Sequence, residues 1–201
     1  MESGLRRRLP RAVCSALAFV ILAACCTGAP AADTVYRVPD QALVDIIDAP
    51  KTPALNVSPT REWALIVSRP GYPSIAELSE RELRLAGNRI RPDSDSPSRV
   101  WPNNKLEFLR FSDLERRPVT GLPENPRLNN IDWSPDGQRV LFTNTTRDRV
   151  ELWVAELATA EARRVCDEEL SLTADAPPEC LPDARTIVAC LVLEDRGPEP
   201  A

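Results

Sequence analysis

The chain has 201 residues, of which 43% are hydrophobic and 20 are prolines, and its formal net charge is −5. That length is enough for one domain with a buried core. The acidic balance, without a basic stripe, excludes proteins that hold nucleic acid through a positive surface. No long segment carries a capped helical pattern, so the composition favours short strands and loops.

The first 32 residues have the pattern of an export signal. Arg6–Arg8 and Arg11 form a positive start, and Ala12–Cys26 ("AVCSALAFVILAACC") is an apolar run. The run is about 15 residues long, which is short of the roughly 20 that a membrane-spanning helix needs. We therefore expect export to the periplasm, with residues 33–201 forming the mature domain.

Two cleavage positions are open. Leu22–Cys25 ("LAAC") matches a bacterial lipobox at all four positions, which would make Cys25 a lipidated N-terminal residue and anchor the protein to a membrane. Ala29–Ala31 ("APA") is a small-x-small site that would release a soluble protein beginning at Ala32. The lipobox is the favoured interpretation because its match is complete.

A proline-containing turn followed by an apolar strand occurs three times. The three copies are Leu55–Val67 ("LNVSPTREWALIV"), Ile131–Leu157 with its "SPDG" turn, and Glu179–Leu193 ("ECLPDARTIVACLVL"). The prolines are separated by about 76 and then about 47 residues. The second interval fits one propeller blade, and the first fits two compressed blades or one blade with an insertion.

The middle copy shows the unit most clearly. Short apolar or alternating segments predict strands at Ile131–Trp133, Arg139–Thr143, Val150–Leu157 and near Arg163–Cys166. These make four antiparallel strands in about 36 residues, close to the size of a propeller blade. Both faces of Val150–Leu157 are largely apolar, which predicts a strand covered on both sides.

The sequence therefore predicts an all-β fold, a partial β-propeller of about three to four four-stranded antiparallel blades. The alternative is an ordinary β-meander that uses Pro-Asp turns. We expect Trp63, Trp133 and Trp153 to belong to the blade cores and Trp101 to be exposed.

Three cysteines follow the signal: Cys166, Cys180 and Cys190. Cys180 and Cys190 flank one turn-strand unit and are the favoured disulfide pair, although free thiols are an equally open interpretation. The spacing contains no C-x-x-C pair and the chain has no histidine, so we expect no zinc or other metal site. No phosphate loop or dinucleotide motif predicts a cofactor.

We also expect no catalytic residues in this chain. Without histidine, a Ser-His-Asp or Cys-His site cannot be assembled. No two glycines are spaced as the nucleophile elbow G-x-S-x-G requires. The acidic run Cys166–Leu170 ("CDEEL") is interpreted as a solvated loop.

Three segments carry a resemblance to a known family: Tyr36–Pro92, which contains "LRLAG", Arg116–Val165, which contains "WSPDG", and Leu181–Pro200. Together they resemble exported bacterial peptidases of the prolyl oligopeptidase family, in the glutamyl endopeptidase-like branch. The resemblance implies an N-terminal β-propeller that covers an α/β-hydrolase domain with Ser, Asp and His, and that filters peptide or protein substrates by size.

The sequence departs from the family in specific places. The hydrolase segment is missing, the stretch 92–108 is irregular, and "LPDAR" and "ATAEA" lack the glycine expected at tight turns. We therefore expect a truncated, non-catalytic propeller portion of such a peptidase, with self-association as a consequence. The alternative function is a free-standing exported propeller module that binds a protein or peptide.

Overall fold

The computed structural model describes residues 38–174, 176–193 and 197. The predicted signal segment, both of its cleavage positions and Cys25 lie outside the described residues. The chain divides into two units after Gln41, and the second unit consists of residues 42–201. Within the described ranges, no helix is long and apolar enough to cross a membrane.

Strands dominate the described residues, and only two short helices accompany them. The helices are α1 (Gln41–Ile47) and α2 (Ile75–Leu78). The strands are β1 (Ala54–Val57), β2 (Trp63–Ser68), β3 (Leu83–Leu85), β4 (Asn88–Arg91), β5 (Ser96–Pro97), β6 (Lys105–Arg110), β7 (Arg116–Pro118), β8 (Leu128–Trp133), β9 (Arg139–Thr145), β10 (Val150–Glu156), β11 (Glu161–Arg164), β12 (Glu179–Cys180) and β13 (Ile187–Val188).

Two antiparallel sheets each contain four strands. The first has the order β1-β2-β6-β7, and the second follows the chain as β8-β9-β10-β11. A two-stranded sheet, β12-β13, begins a third unit. The predicted all-β fold of four-stranded antiparallel blades is confirmed, with two blades complete in the described residues.

The long interval between the first two turns is explained by an insertion. Helix α2 and the three-stranded sheet β3-β4-β5 lie between β2 and β6, the second and third strands of the first sheet. Of the two alternatives that the spacing left open, one blade with an insertion is therefore correct. We call residues 74–101 the inserted segment.

Helix α2 begins with a capping box, in which Ser74 Oγ accepts from the Glu77 N–H and the Glu77 carboxylate accepts from the Ser74 N–H.

The three proline turns have the same hydrogen-bond pattern and the same place, between the first and second strands of each unit. In each, the first residue's N–H donates to the carbonyl five residues later, and the fourth residue's N–H donates back to the first residue's carbonyl. The first bond joins the N–H groups of Ser58, Ser134 and Leu181 to the carbonyls of Trp63, Arg139 and Thr186, respectively. The second joins the N–H groups of Arg61, Gly137 and Ala184 to the carbonyls of Ser58, Ser134 and Leu181. All six distances are 2.8–2.9 Å. The repeat read from the sequence is therefore a structural repeat.

The fourth residue of every turn has a left-handed backbone conformation. Gly137 adopts it with φ 67°, but the matching positions hold Arg61 at φ 59° and Ala184 at φ 55°. A side chain with a Cβ is strained there, since the left-handed region places Cβ against the carbonyl oxygen that follows. The absence of glycine from "LPDAR" is thus a local destabilising feature, as the sequence predicted.

Replacing Arg61 with glycine is expected to raise the free energy of unfolding by about 1 kcal/mol, because it relieves this strain at an exposed side chain. The reciprocal change, Gly137→Ala, is expected to lower it by about 1–2 kcal/mol. A Cβ at Gly137 would also lie 3.0 Å from Thr60 Cγ2 of the neighbouring turn. Urea unfolding followed by circular dichroism measures both changes, and destabilisation by Arg61→Gly would contradict the assigned turn.

The second sheet is buried on both faces. One face packs on the first sheet in a shared core that contains Leu65, Phe108, Trp133 and Phe142, where the rings of Phe108 and Trp133 lie 5.7 Å apart. The opposite face forms a second cluster of buried residues, which are Leu141, Val150, Leu152, Leu170 and Leu172. The prediction that the third strand of this unit is covered on both sides is confirmed.

The tryptophans lie where the sequence placed them. Trp133 is buried, and Trp63 and Trp153 are half-buried and pack against the shared core. Trp101 is 45% exposed.

Candidate functional site

The cysteines are not arranged as a reactive site. Cys166 and Cys180 are half-buried, Cys190 is exposed, and all three are free thiols in the structure. The disulfide between Cys180 and Cys190 stays a prediction. Burial is the main cause that raises the pKa of the Cys166 and Cys180 thiols, so neither is an activated thiolate at neutral pH.

The carboxylates do not form a metal centre in the described part of the chain. No group of three or more Asp, Glu, Cys or His side chains could hold an ion there. In the acidic run Cys166–Leu170, Asp167 and Glu168 are exposed, in keeping with a solvated loop.

The most developed polar site lies where the inserted segment meets the second sheet. Arg91, on β4, and Arg127, immediately before β8, approach one another there and are only 13% and 20% exposed. Arg91 Nε lies 2.7 Å from Glu80, and Arg127 Nη1 lies 3.4 Å from Glu77 and 3.5 Å from Glu80. These ion pairs tie helix α2 to the edge of the second sheet.

A β-bulge shapes the sheet side of this site. The register of β8 and β9 shifts between Asn129 and Asp132, and Asn130 takes a left-handed conformation with φ 49°. Asparagine tolerates that conformation better than most residues with a Cβ. The Asn130 amide donates to Thr143 Oγ1 at 3.1 Å, and that hydroxyl donates to the Asn129 carbonyl at 3.1 Å, which holds the bulge in place.

Between the inserted segment and the bulge is a cavity of about 90 Å³. Its polar lining consists of Arg91, Ser96, Arg127, Asn129, Asn130 and Thr145, and the remaining lining residues are prolines, alanine and aliphatic side chains. No carboxylate is among the described residues that line this cavity. We call it the arginine cavity.

A second depression, of about 260 Å³, adjoins it and is lined by Trp101, Leu78 and Glu82 among others. Glu82 accepts hydrogen bonds from Arg89 Nη1 at 2.6 Å, Arg99 Nε at 2.9 Å and Ser98 Oγ at 3.1 Å. The hydrogen bond from Arg99 is the largest cause that lowers the pKa of Glu82 from 4.5 to about 2. Glu82 is thus a permanent anion that holds the inserted segment together, and it is unsuited to proton transfer near neutral pH.

The two arginines can bind an anion. The Ser98 hydroxyl is paired with Glu82, but a carboxylate whose pKa is about 2 is too weak a base to activate it. Sequence reasoning missed the arginine cavity because Arg91 and Arg127 are far apart in the chain and carry no shared motif. They come together only in the folded chain, where both contact Glu80.

No family model matches the chain. Two curated plant proteins do, and both are described as "Probable glutamyl endopeptidase, chloroplastic". The protein of Oryza sativa is 30% identical over 176 residues, which is 82% of this chain and 19% of the relative. The protein of Arabidopsis thaliana is 31% identical over 177 residues, which is 83% of this chain and 18% of the relative. The chain thus spans about a fifth of the length of these relatives.

Solved structures with a similar course of the chain include a TolB protein of Agrobacterium tumefaciens, with a TM-score of 0.39 and 12% identity over 77% of this chain and 43% of that one. A dipeptidyl aminopeptidase IV of Bacteroides ovatus has a TM-score of 0.37 and 14% identity over 62% of this chain and 18% of that one. The sequence comparison makes this chain a distant relative of one region of the plant glutamyl endopeptidases.

Proposed function

We propose that this chain is the non-catalytic propeller portion of an exported serine peptidase of the prolyl oligopeptidase family, in the glutamyl endopeptidase-like branch. The observation that supports the proposal is the 30% identity to a plant glutamyl endopeptidase over 82% of the chain. Proteolysis would belong to an α/β-hydrolase domain, and the propeller would admit peptides small enough to reach it.

The chemistry of the described residues supports a role in covering rather than cleaving. The chain contains no histidine to act as a base. The two half-buried thiols are held protonated by burial. The carboxylates of Glu77, Glu80 and Glu82 are each engaged with arginines.

The purified chain is therefore expected to show no turnover of Glu-x or Pro-x fluorogenic peptides and no label from a fluorophosphonate probe. Stoichiometric labelling of any serine would contradict the proposal.

The reading frame that follows Ala201 supplies a separate test. A frame that encodes G-x-S-x-G, and that confers peptidase activity when expressed together with this chain, is the expected result. An unrelated gene there would favour the free-standing module that binds a protein or peptide.

We also propose that the protein reaches the periplasm as a lipoprotein anchored through Cys25. Several acyl chains are needed because one chain holds a protein at a membrane only marginally. Cys25→Ala is expected to move the protein out of the membrane fraction, which immunoblotting of fractionated cells measures, with Cys26→Ala as the matched control. Mass spectrometry that finds an unmodified N-terminus at Ala32 would decide for the soluble form.

A further inference from the structure

We propose that the arginine cavity binds a small oxyanion, the size of a carboxylate or a phosphate, through Arg91 and Arg127. This site is separate from the proposed peptidase role and holds for either function of the chain. Three observations support it: a buried arginine N–H without an acceptor, the positive charge of the ionised residues in the cavity lining, and the volume of the cavity.

One hydrogen-bond donor at the cavity lacks an acceptor. Arg127 Nε is buried and has no hydrogen-bond partner among the described residues, although the Nη1 of the same guanidinium faces Glu77 and Glu80. Arg91 contacts Glu80 through Nε at 2.7 Å and also lines the cavity. A buried donor without an acceptor is costly, more so on a charged group, so such a donor indicates a missing partner.

The charges agree with an anionic partner. Burial and the neighbouring charge of Arg127 lower the pKa of Arg91, which shows that the two cations are close and poorly solvated. Glu77 and Glu80 face the neighbouring depression and not this cavity. Among the described residues that line the arginine cavity, the only ionised groups are therefore the guanidinium groups of Arg91 and Arg127. A planar guanidinium suits an oxyanion that accepts two parallel hydrogen bonds.

The cavity's size limits the ligand to one group. A volume of about 90 Å³ is enough for a carboxylate or phosphate group, and it is smaller than the roughly 150 Å³ of a cavity that accepts benzene. The two nearby glutamates offset part of the arginine charge, so we expect a dissociation constant on the order of 1 mM. The oxyanion could be a free inorganic ion or the terminal carboxylate of a peptide.

The test is thermal unfolding of the full chain in phosphate, acetate and chloride at equal ionic strength. Phosphate or acetate is expected to raise the midpoint, and to do so in proportion to the logarithm of its concentration once that exceeds the dissociation constant, since a ligand that binds only the folded state stabilises it by mass action. Chloride at the same ionic strength is expected to have no such effect. Equal midpoints in all three salts would overturn the proposal.

A short peptide with a free or an amidated C-terminus distinguishes the two sources. Binding of the free form alone, measured by calorimetry, would support a peptide carboxylate as the ligand. If phosphate raises the midpoint and neither peptide binds, the result would support an inorganic oxyanion.

Substitutions in the cavity lining test whether the stabilisation by phosphate arises at this cavity. Arg127→Gln removes one cation but also breaks the ion pairs to Glu77 and Glu80, and it could therefore unfold the chain. Asn129→Asp instead places a carboxylate in the lining and is expected to weaken the apparent affinity for phosphate at least tenfold while the fold persists. Arg84→Gln, an exposed arginine of the inserted segment outside the cavity, is the matched control and should leave the affinity unchanged. An unaltered phosphate response in Asn129→Asp would overturn the proposal.

Discussion

Phe108→Ala is expected to lower the free energy of unfolding by about 3–5 kcal/mol. Phe108 is completely buried on β6, and its ring lies 5.7 Å from that of Trp133 on β8. It therefore joins the two complete blades, and its removal leaves a cavity in the core that both share. Since a domain of this size is stable by roughly 5–15 kcal/mol, the loss is a large part of the total.

Phe111→Ala is the matched control for this prediction. Phe111 immediately follows β6 and is 41% exposed, so its removal should change the free energy of unfolding by no more than about 0.5–1 kcal/mol. Urea unfolding of both variants, followed by tryptophan fluorescence, measures the difference. Equal effects of the two substitutions would show that the first and second sheets do not share a core.

The repeated unit could be predicted from the sequence because its signals are local. Proline fixes its own φ, and an apolar strand follows each turn, so strands β8 to β11 were predicted within a few residues of their bounds. The strained conformations also followed from local chemistry. Ala160 and Ala184, in the "ATAEA" and "LPDAR" turns, both have positive φ values, 56° and 55°.

The inserted segment and its cavity could not be predicted in the same way. The "SIAE" sequence at Ser74–Glu77 carries the capping-box signal for α2, but the helix is only four residues long and buries none of its residues. Strands β3 to β5 are only two to four residues long, which is too short for the alternation of apolar and polar residues to identify them. The position of Arg91 beside Arg127 depends on how this small sheet packs on the second blade, which is a tertiary effect.

The third unit is expected to cause self-association of the chain at micromolar concentrations. In the described residues, β12 and β13 form a two-stranded sheet, whereas the equivalent strands of the other units each continue into four. Strand β13 lies in Thr186–Leu193 ("TIVACLVL"), an uncharged segment without proline, in which Val188, Leu191 and Leu193 are 49–75% exposed. The backbone of Cys190 and Val192 is already paired with Ser171 and Glu169, so the open edge is that of β13 itself, which pairs only with β12 among the described strands. Such an edge offers its N–H and C=O groups to the same edge of another chain.

Val188→Lys is expected to suppress this association without disturbing the fold. Val188 is 55% exposed and lies opposite Glu179 in the register of β12 and β13, so a lysine there gains an oppositely charged cross-strand neighbour. Leu114→Lys adds the same charge at a position that is 68% exposed, in the turn between β6 and β7, and should leave association unchanged. Sedimentation velocity over a concentration series measures the three proteins. A monodisperse wild-type monomer with one sharp thermal transition would contradict the prediction and favour a free-standing propeller module, because it would show that the edge of β13 is satisfied within a single chain.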